Sequence, residues 1–287
     1  MCRFAFYLGP ALTLDSLTTE PVHSIIKQSY HSKERVEPLN GDGFGVAWYV
    51  PEISPAPAVF RSITPAWNNR NLVHLARVTR SGCILAHVRA ASPGLAVTET
   101  NCHPFVHGRF AFMHNGLIAS FARVKRRLSA SLSDESFAVI EGSTDSELLF
   151  ALFLDRMRSA TAADPADAMA DAVDATIATT VEALRDAGVE EASYFNIVVA
   201  DGTSGVASRV TTGFPDGAAS LYWHEGKRYV CEEGFCRMVA PDTPGGAILV
   251  CSEPLSADAG WEKVPPNHLV VVRADRSIGI RPLTRRP

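Results

Sequence analysis

The sequence lacks several features that would place a protein in a membrane, outside the cell or on a nucleic acid. It has no run of about 18 apolar residues, the length that a membrane-spanning helix requires. The N-terminus, residues 1–4, lacks the basic segment and the apolar core of a signal peptide. Lys and Arg number 27 against 31 Asp and Glu, for a formal net charge of −4, whereas nucleic-acid binders usually carry a basic face. We therefore predict a cytoplasmic protein that binds neither membranes nor nucleic acids.

The chain also lacks an obvious division. No linker rich in Pro, Gly or Ser, no repeat and no long low-complexity tract interrupts its 287 residues. Hydrophobic residues make up 46% and charged residues 20%, a composition typical of folded rather than disordered chains. This length is sufficient to bury a sizeable core. The simplest organisation is therefore one domain over residues 1–287.

The cysteines lack the C-x-x-C spacing of the common zinc and redox motifs. They are Cys2, Cys83, Cys102, Cys231, Cys236 and Cys251. Because nothing indicates secretion, we expect all of them to be thiols rather than disulfides. Cys83 and Cys251 lie in apolar runs, where a free cysteine packs as a small hydrophobic residue.

Cys2 differs from the other cysteines because removal of Met1 would make it the first residue. We expect this removal, since initiator methionine is usually cleaved before a small side chain. The product carries a thiol and an α-amine on one residue. An α-amine has a pKa of about 7.7–8.0, so part of it is neutral near pH 7 and can accept the thiol proton. Cys2 is therefore a candidate N-terminal nucleophile, although it could simply begin the first strand, predicted over residues 2–8.

The predicted elements run in the order strands, two long helices, strands. A Thr144-x-x-Glu147 capping box begins the first long helix. Asp164–Pro165 begins the second, and Gly188 ends it. Because strands and helices do not alternate, this order argues against a Rossmann-type sheet. It favours an α+β fold in which antiparallel sheets carry a helical layer.

Four turns follow from local sequence signals. They are Gly9–Pro10, Asn115–Gly116, Asp201–Gly202 and Glu225–Gly226. Each follows a predicted strand, and the last two join the strand pairs 194–200 with 205–210 and 220–224 with 228–231 as hairpins.

Several chemically distinctive side chains lie where predicted elements begin or end. Arg89 ends a buried strand, and its planar guanidinium suits a carboxylate. Asn115 and Gly116 could aim a side-chain amide and a backbone N–H at one oxygen, as an oxyanion hole requires, where one donor contributes roughly 2.7–4 kcal/mol. Asp145, in the first turn of a helix, could receive a ligand ammonium.

Each of these features also has a purely structural interpretation. Asn-Gly is usually only a turn, a strand histidine is usually a core residue, and Asp145 could be a helix cap. Taken together, they supply a nucleophile, a base, an oxyanion hole, a carboxylate clamp and an ammonium acceptor. That set could hold a free amino-acid head group and cleave an amide on its side chain.

In identity and order these segments resemble the class II glutamine amidotransferases. The matching motifs are Cys2 after Met1, His87-x-Arg89, Asn101-x-His103-Pro104-Phe105, His114-Asn115-Gly116 and Thr144-Asp145-Ser146-Glu147. Residues 40–45, 63–69 and 252–255 resemble one subgroup, the stand-alone amidotransferase of the alternative glutathione-degradation pathway. The γ-glutamyl hydrolase of ergothioneine synthesis is a further similar protein. The resemblance implies an N-terminal-nucleophile hydrolase fold, a four-layer αββα sandwich of two antiparallel sheets between helical layers.

The resemblance also implies a role for each motif residue. Cys2 would be the nucleophile and its α-amine the base, while Asn115 and Gly116 would form the oxyanion hole. Arg89 would bind the α-carboxylate of a γ-glutamyl group and Asp145 its α-ammonium, with His103 supporting the site. No metal or organic cofactor is required. The implied partners are a small γ-glutamyl substrate and, from the subgroup, a metallopeptidase-type subunit.

Two departures from the family shape the expected activity. Loop 40–43 contains no arginine, whereas the glucosamine-synthesising relatives carry one there, so we expect its contacts to the cysteine to differ. We also expect no room for an ammonia-accepting domain within this length. The favoured activity is hydrolysis of a γ-glutamyl amide, with glutathione as the first candidate, through a thioester on Cys2. The alternatives are a glutaminase subunit that supplies ammonia to a separate synthase and a non-catalytic binding module with the same fold.

Overall fold

The structure, a computed structural model, describes residues 2–34, 39–91, 94, 96–232, 234–241, 243, 245–284 and 287. The expected removal of Met1 concerns a residue outside this set.

The described residues form fifteen strands and seven α-helices. The strands are β1 (Arg3–Thr13), β2 (Phe44–Val50), β3 (Ser54–Ser62), β4 (Arg80–Val88), β5 (Phe105–His107), β6 (Phe110–Leu117), β7 (Tyr194–Ala200), β8 (Gly205–Arg209), β9 (Tyr222–Gly226), β10 (Arg228–Glu232), β11 (Phe235–Val239), β12 (Ala247–Cys251), β13 (Glu262–Lys263), β14 (His268–Val272) and β15 (Ile278–Pro282). The helices are α1 (Asp15–Thr18), α2 (Ile25–Tyr30), α3 (Arg70–Val78), α4 (Phe121–Ala130), α5 (Asp134–Phe137), α6 (Asp145–Arg158) and α7 (Pro165–Asp186).

Two large sheets organise the strands. A seven-stranded sheet has the order β13-β9-β12-β1-β4-β2-β3, and a six-stranded sheet has the order β15-β14-β8-β7-β6-β5. Neighbouring strands in both sheets are antiparallel, which confirms the predicted type of sheet. The strands β10 and β11 form a separate hairpin.

Three hydrophobic cores separate four layers. One core lies between the two sheets, one between the seven-stranded sheet and α1–α3, and one between the six-stranded sheet and α4, α6 and α7. Alternation along β1 directs Phe4 and Phe6 toward the other sheet, while Ala5 and Tyr7 face the helices. The predicted αββα sandwich is confirmed. No helix in the described part of the chain is long and apolar enough to span a membrane.

The predicted helix boundaries are confirmed at the two long helices. The Thr144 hydroxyl accepts the Glu147 N–H at 3.2 Å, which caps α6. The Asp164 carboxylate accepts the N–H groups of Ala166 and Asp167 at the start of α7. After α7, Gly188 takes a positive φ of 63°, the conformation that commonly ends a helix.

Two predicted turns in the seven-stranded sheet are wrong. At Gly9–Pro10 strand β1 continues to Thr13, because a shift of register between Leu8 and Leu12 keeps it paired with β4. At Glu225–Gly226 the flanking strands do not form a hairpin, since β9 pairs with β12 and β10 pairs with β11. In both places strand pairing overrides the local turn signal: β1 and β9 pair with strands distant in sequence, whereas β10 pairs with the next strand.

The expectation of six thiols is also wrong, because Cys231 and Cys236 form a disulfide with an S–S distance of 1.97 Å. Strand β11, which the sequence pattern does not predict, places Cys236 directly opposite Cys231 across the hairpin. Cys2, Cys83, Cys102 and Cys251 are free and buried.

Candidate active site

The end of β4 holds the Cys2 side chain. Cys2 lies just before β1, whose first pair with β4 joins Arg3 to Val88. This register brings the thiol to Ala90, two residues beyond β4. The Ala90 N–H donates to Sγ at 3.4 Å, and the thiol faces the Ala90 carbonyl oxygen at 3.7 Å.

Burial raises the pKa of the Cys2 thiol, because the charged thiolate is costly to desolvate. The Ala90 hydrogen bond and the positive charges of Arg89 and Arg3 lower this pKa, but by less than burial raises it. The thiol is therefore protonated near pH 7, and attack by its sulfur requires a base.

A small cavity of about 30 Å³ lies beside the thiol. Its described lining is Cys2, Arg89, Ala90, Ala91, His103, His114, Gly116, Thr144, Asp145 and Ser146. The structure therefore brings five of the six predicted site residues together, from both sheets and from the first turn of α6. The sixth, Asn115, is buried next to them without lining the cavity.

Arg89 presents a buried positive charge at this cavity. Its guanidinium donates to the carbonyl oxygens of Asp42 and Ala96 at 3.4 and 3.3 Å. Among the described residues, no carboxylate is hydrogen-bonded to it. Long bonds to neutral carbonyls leave the planar guanidinium able to bind an incoming carboxylate.

Asp145 presents the opposite charge from the N-terminus of α6. One carboxylate oxygen accepts the Ile118 N–H at 2.8 Å, and the other accepts the Ser146 N–H at 2.7 Å. These bonds fix the orientation of the carboxylate. The oxygen bonded to Ile118 keeps capacity for a further donor, whereas the oxygen bonded to the Ser146 N–H also lies 3.2 Å from the Ser146 hydroxyl oxygen. The N-cap of α6 is Thr144, so capping is not the role of Asp145.

The predicted turn at Asn115–Gly116 is wrong, because both residues lie within β6. They pair with Asn196 and Phe195 of β7, and this pairing outweighs the local turn preference of Asn-Gly. Their side-chain positions face opposite sides of the sheet. Asn115 Nδ2 donates to the Ser252 hydroxyl oxygen at 3.3 Å. A Cβ on Gly116 would lie 2.0 Å from the Tyr194 carbonyl oxygen, so the strand requires glycine at this position.

The N–H of Gly116 nevertheless points to an open strand edge. Its partner Phe195 donates its own N–H to Val210 on the far side of β7. In an antiparallel ladder, such a pair exchanges no hydrogen bonds, so the Gly116 N–H faces away from β7. On that side β5 pairs with β6 only as far as Phe112. An open-edge N–H in the wall of the cavity can serve as an oxyanion donor.

Two buried histidines, His103 and His114, line the cavity, and a third, His87, packs against His103. The His103 ring lies 4.2 Å from the His87 ring, and neither His103 nitrogen has a hydrogen-bond partner in the described residues. His87 Nε2 donates to the His114 carbonyl oxygen at 3.4 Å. Burial lowers the pKa of all three rings, that of His87 to about 3. They are therefore neutral near pH 7.

His114 links strand β7 to the first turn of α6, which carries Asp145. Its Nε2–H donates to the Tyr194 carbonyl oxygen at 2.9 Å. In the neutral ring, Nδ1 must then accept the Ser146 hydroxyl, also at 2.9 Å. The sequence motif contains His114 and Ser146 but does not indicate this contact. Cys102, which adjoins the motif residues in sequence, packs its Sγ against the carbonyl oxygens of Ser62 and Thr98 instead.

The chain is similar to known proteins over nearly its whole length. The family model described as "Glutamine amidotransferases class-II" matches residues 18–213. The chain is 42% identical to the probable glutamine amidotransferase DUG3 of Saccharomyces cerevisiae, over 95% of this chain and 82% of the yeast protein. The chain belongs to the class II glutamine amidotransferases. The predicted type of enzyme is thereby confirmed at the level of the family.

Further relatives extend this comparison. The chain is 28% identical to the gamma-glutamyl-hercynylcysteine sulfoxide hydrolase of Mycolicibacterium smegmatis, over 99% of this chain and all (100%) of that protein. A glutamine aminotransferase class-II domain protein from Silicibacter pomeroyi has a similar structure, with a TM-score of 0.68 at 26% identity and coverage of 99% and 100%. The glutamine phosphoribosylpyrophosphate amidotransferase of Bacillus subtilis shares the fold, with a TM-score of 0.58 at 14% identity over 99% of this chain and 49% of that one. These neighbours agree with the N-terminal-nucleophile architecture.

Proposed function

We propose that the protein hydrolyses γ-glutamyl amide bonds and releases glutamate through a γ-glutamyl thioester on Cys2, with glutathione as the first candidate substrate. The observation that carries this proposal is the lining of one cavity by the Cys2 thiol, the Arg89 guanidinium and the Asp145 carboxylate. A γ-glutamyl group carries an α-carboxylate and an α-ammonium, so these two opposite charges match both ends of its head group.

The first half of the reaction would form the thioester. After removal of Met1, the α-amine of Cys2 accepts the thiol proton, and the sulfur attacks the γ-carbonyl carbon. The carbonyl oxygen gains the negative charge and is stabilised by the Gly116 N–H and the Asn115 amide. When the intermediate collapses, the C–N bond breaks and the α-ammonium gives its proton to the leaving amine.

The second half would hydrolyse the thioester. Water attacks the acyl carbon while the same α-amine accepts its proton, and the same oxyanion forms. Cleavage of the C–S bond returns the thiol and liberates glutamate. Because the buried Cys2 thiol has a raised pKa, a base is needed in the first half, and the α-amine is the base that the chemistry of a first-residue cysteine supplies.

The choice of glutathione rests on the motif resemblance of residues 40–45, 63–69 and 252–255. It also agrees with the similarity to a hydrolase whose name specifies a γ-glutamyl substrate. From the same resemblance we propose a metallopeptidase-type partner subunit. We further propose a cytoplasmic location, where a free catalytic thiol is maintained and where the Cys231–Cys236 disulfide would be an uncommon feature.

Family membership also supports a second candidate, a glutaminase subunit that supplies ammonia to a synthase. The two functions differ in their leaving group, which is a peptide amine in one and ammonia in the other. They also differ in the proposed partner, which is a metallopeptidase-type subunit in one and an ammonia-using synthase in the other.

Product analysis on protein with a verified N-terminal Cys2 tests the proposal. We expect a higher kcat/KM for glutamate release from glutathione than from glutamine, and no release by Cys2→Ala. Cys83→Ala, which removes a buried thiol remote from the cavity, is the matched control and should retain activity. Turnover of glutamine alone that rises when a synthase binds would favour the glutaminase, and release from none of the γ-glutamyl amides would refute the hydrolase.

A further inference from the structure

The dipeptide Ser252–Glu253 follows β12 and contacts both halves of the proposed site. We propose that these two residues are positioning residues for the reaction. In this proposal, Glu253 fixes the main chain of the nucleophile through Arg3, and Ser252 fixes the amide of Asn115 that would bind the oxyanion. The proposal deepens the proposed function and rests on it.

The Glu253 contacts form a buried charge network. Arg3 Nε donates to the carboxylate at 2.7 Å, and the two side chains are only 2% and 1% exposed. His23 Nε2, the Ser32 hydroxyl and the Lys33 N–H donate to the same carboxylate at 2.8, 2.7 and 2.9 Å. Replacement of the carboxylate by a neutral amide would remove a buried negative charge that directly faces the buried Arg3 guanidinium, which makes this contact sensitive to substitution.

The network acts on the nucleophile because Arg3 bends back on the preceding residue. Its Nη1 donates to the Cys2 carbonyl oxygen at 2.9 Å. Cys2 precedes β1 and has no strand pairing of its own. After removal of Met1 no preceding residue would restrain its main chain, although its thiol would keep the contact with Ala90. The Arg3 guanidinium, itself held by Glu253, therefore restrains the position of the thiol and the amine.

The Ser252 contacts connect β1, which follows the nucleophile, to Asn115, the proposed oxyanion donor. The Ser252 hydroxyl oxygen accepts the Phe4 N–H at 3.1 Å, and the Ser252 N–H donates to the Phe4 carbonyl at 3.0 Å. The same hydroxyl oxygen accepts from Asn115 Nδ2 at 3.3 Å. An amide nitrogen carries two hydrogens, so this bond leaves one for an oxyanion and fixes the direction of both.

These contacts set the spacing between nucleophile and oxyanion donor without touching the α-carboxylate and α-ammonium groups of a substrate. Loss of either the Glu253–Arg3 contact or the Ser252–Asn115 contact should therefore lower kcat and leave KM nearly unchanged. Because oxyanion stabilisation and attack geometry are both sensitive to small displacements, we expect a fall in kcat of between about 10-fold and 100-fold.

The test compares Ser252→Ala and Glu253→Gln with matched controls in steady-state hydrolysis of glutathione. Ser208→Ala removes another buried hydroxyl that bridges two strands. Asp174→Asn removes another buried carboxylate, which accepts two hydrogen bonds from Thr284. We expect both test variants to lose kcat at constant KM and both controls to retain wild-type kcat. Test variants that behave like their controls, or lose activity only through KM, would overturn the proposal. If Glu253→Gln does not fold, Ser252→Ala decides the outcome.

A second readout needs no turnover and separates this proposal from the proposed function. Labelling of Cys2 by iodoacetamide, followed by peptide mass spectrometry, reports how tightly the N-terminus is held. Glu253→Gln should accelerate labelling several-fold, because Cys2 is released, whereas Asp174→Asn should not. If wild-type protein releases no glutamate, the proposed function fails and labelling alone decides; equal rates in the three proteins would refute the positioning role of Glu253.

Discussion

At the scale of single residues, the candidate site combines the Cys2 thiol, which burial makes hard to ionise, with the opposite charges of Arg89 and Asp145. Burial keeps the Cys2 thiol protonated, so in the proposed mechanism its attack depends on the α-amine that removal of Met1 would expose. The buried Arg89 and the partly exposed Asp145 are each held by bonds to the backbone. Such groups need little reorganisation when a zwitterionic head group binds.

Protonation of the buried histidines should destabilise the fold at acid pH. Burial lowers the pKa of His87 to about 3 and also lowers that of His103 and His114, whereas an unfolded imidazole has a pKa of about 6.5. Between these values the unfolded state binds more protons, so the free energy of unfolding falls as the pH falls. Each histidine contributes at most about 1.4 kcal/mol per pH unit.

Urea unfolding at pH 7, 6 and 5 measures this slope. His103→Phe, which keeps a ring but cannot titrate, should reduce the slope, whereas His74→Gln on the exposed face of α3 should leave it unchanged. An identical slope in wild type and His103→Phe would contradict the assignment of acid sensitivity to this cluster.

At the scale of elements, the sequence predicts those whose signals are local. The caps at Thr144 and Asp164 define α6 and α7 because each hydroxyl or carboxylate bonds an N–H two or three residues away. The turns at Gly9–Pro10 and Asn115–Gly116 fail because β4 and β7, which are distant in sequence, pair with those segments. Long-range pairing can override turn preference, and no local pattern reveals it.

The β10–β11 hairpin provides a stability prediction that is independent of catalysis. Its disulfide closes a loop with a sequence separation of 5, for which loop entropy gives a stabilisation of about 2 kcal/mol. The double variant Cys231→Ser, Cys236→Ser should lose about that free energy of unfolding. It should retain kcat/KM for the γ-glutamyl substrate, because neither cysteine lines the cavity.

Chemical denaturation of that double variant measures its free energy of unfolding, and steady-state assays measure its kcat/KM. Wild-type protein treated with a mild reductant serves as the control, since it loses the same crosslink without a substitution. A loss of activity in both samples would show that the hairpin acts on the site.

At the scale of the whole molecule, the cavity exists only because both sheets and α6 meet. The cavity residues that could be predicted from the sequence are the chemically distinctive ones, Cys2, Arg89, Gly116 and Asp145, because few other roles need those residue types in that order. The contacts of Ala90 with Cys2 and of Ser146 with His114 could not be predicted, because these are common residue types whose contacts depend only on where the fold places them. Nor does the sequence predict that Ser252, far along the chain, contacts Asn115, since this contact depends on the packing of one sheet on the other.

The central claim is that an N-terminal Cys2 carries the γ-glutamyl group during turnover. The most direct measurement is intact-protein and peptide mass spectrometry after rapid mixing with glutathione and an acid quench. We predict one γ-glutamyl adduct on the N-terminal peptide of processed wild-type protein. We predict none on Cys2→Ala, and none on a chain whose N-terminus is blocked by an uncleaved tag. Glutamate release by wild type without an adduct, together with sustained release by Cys2→Ala or the tagged chain, would contradict the account.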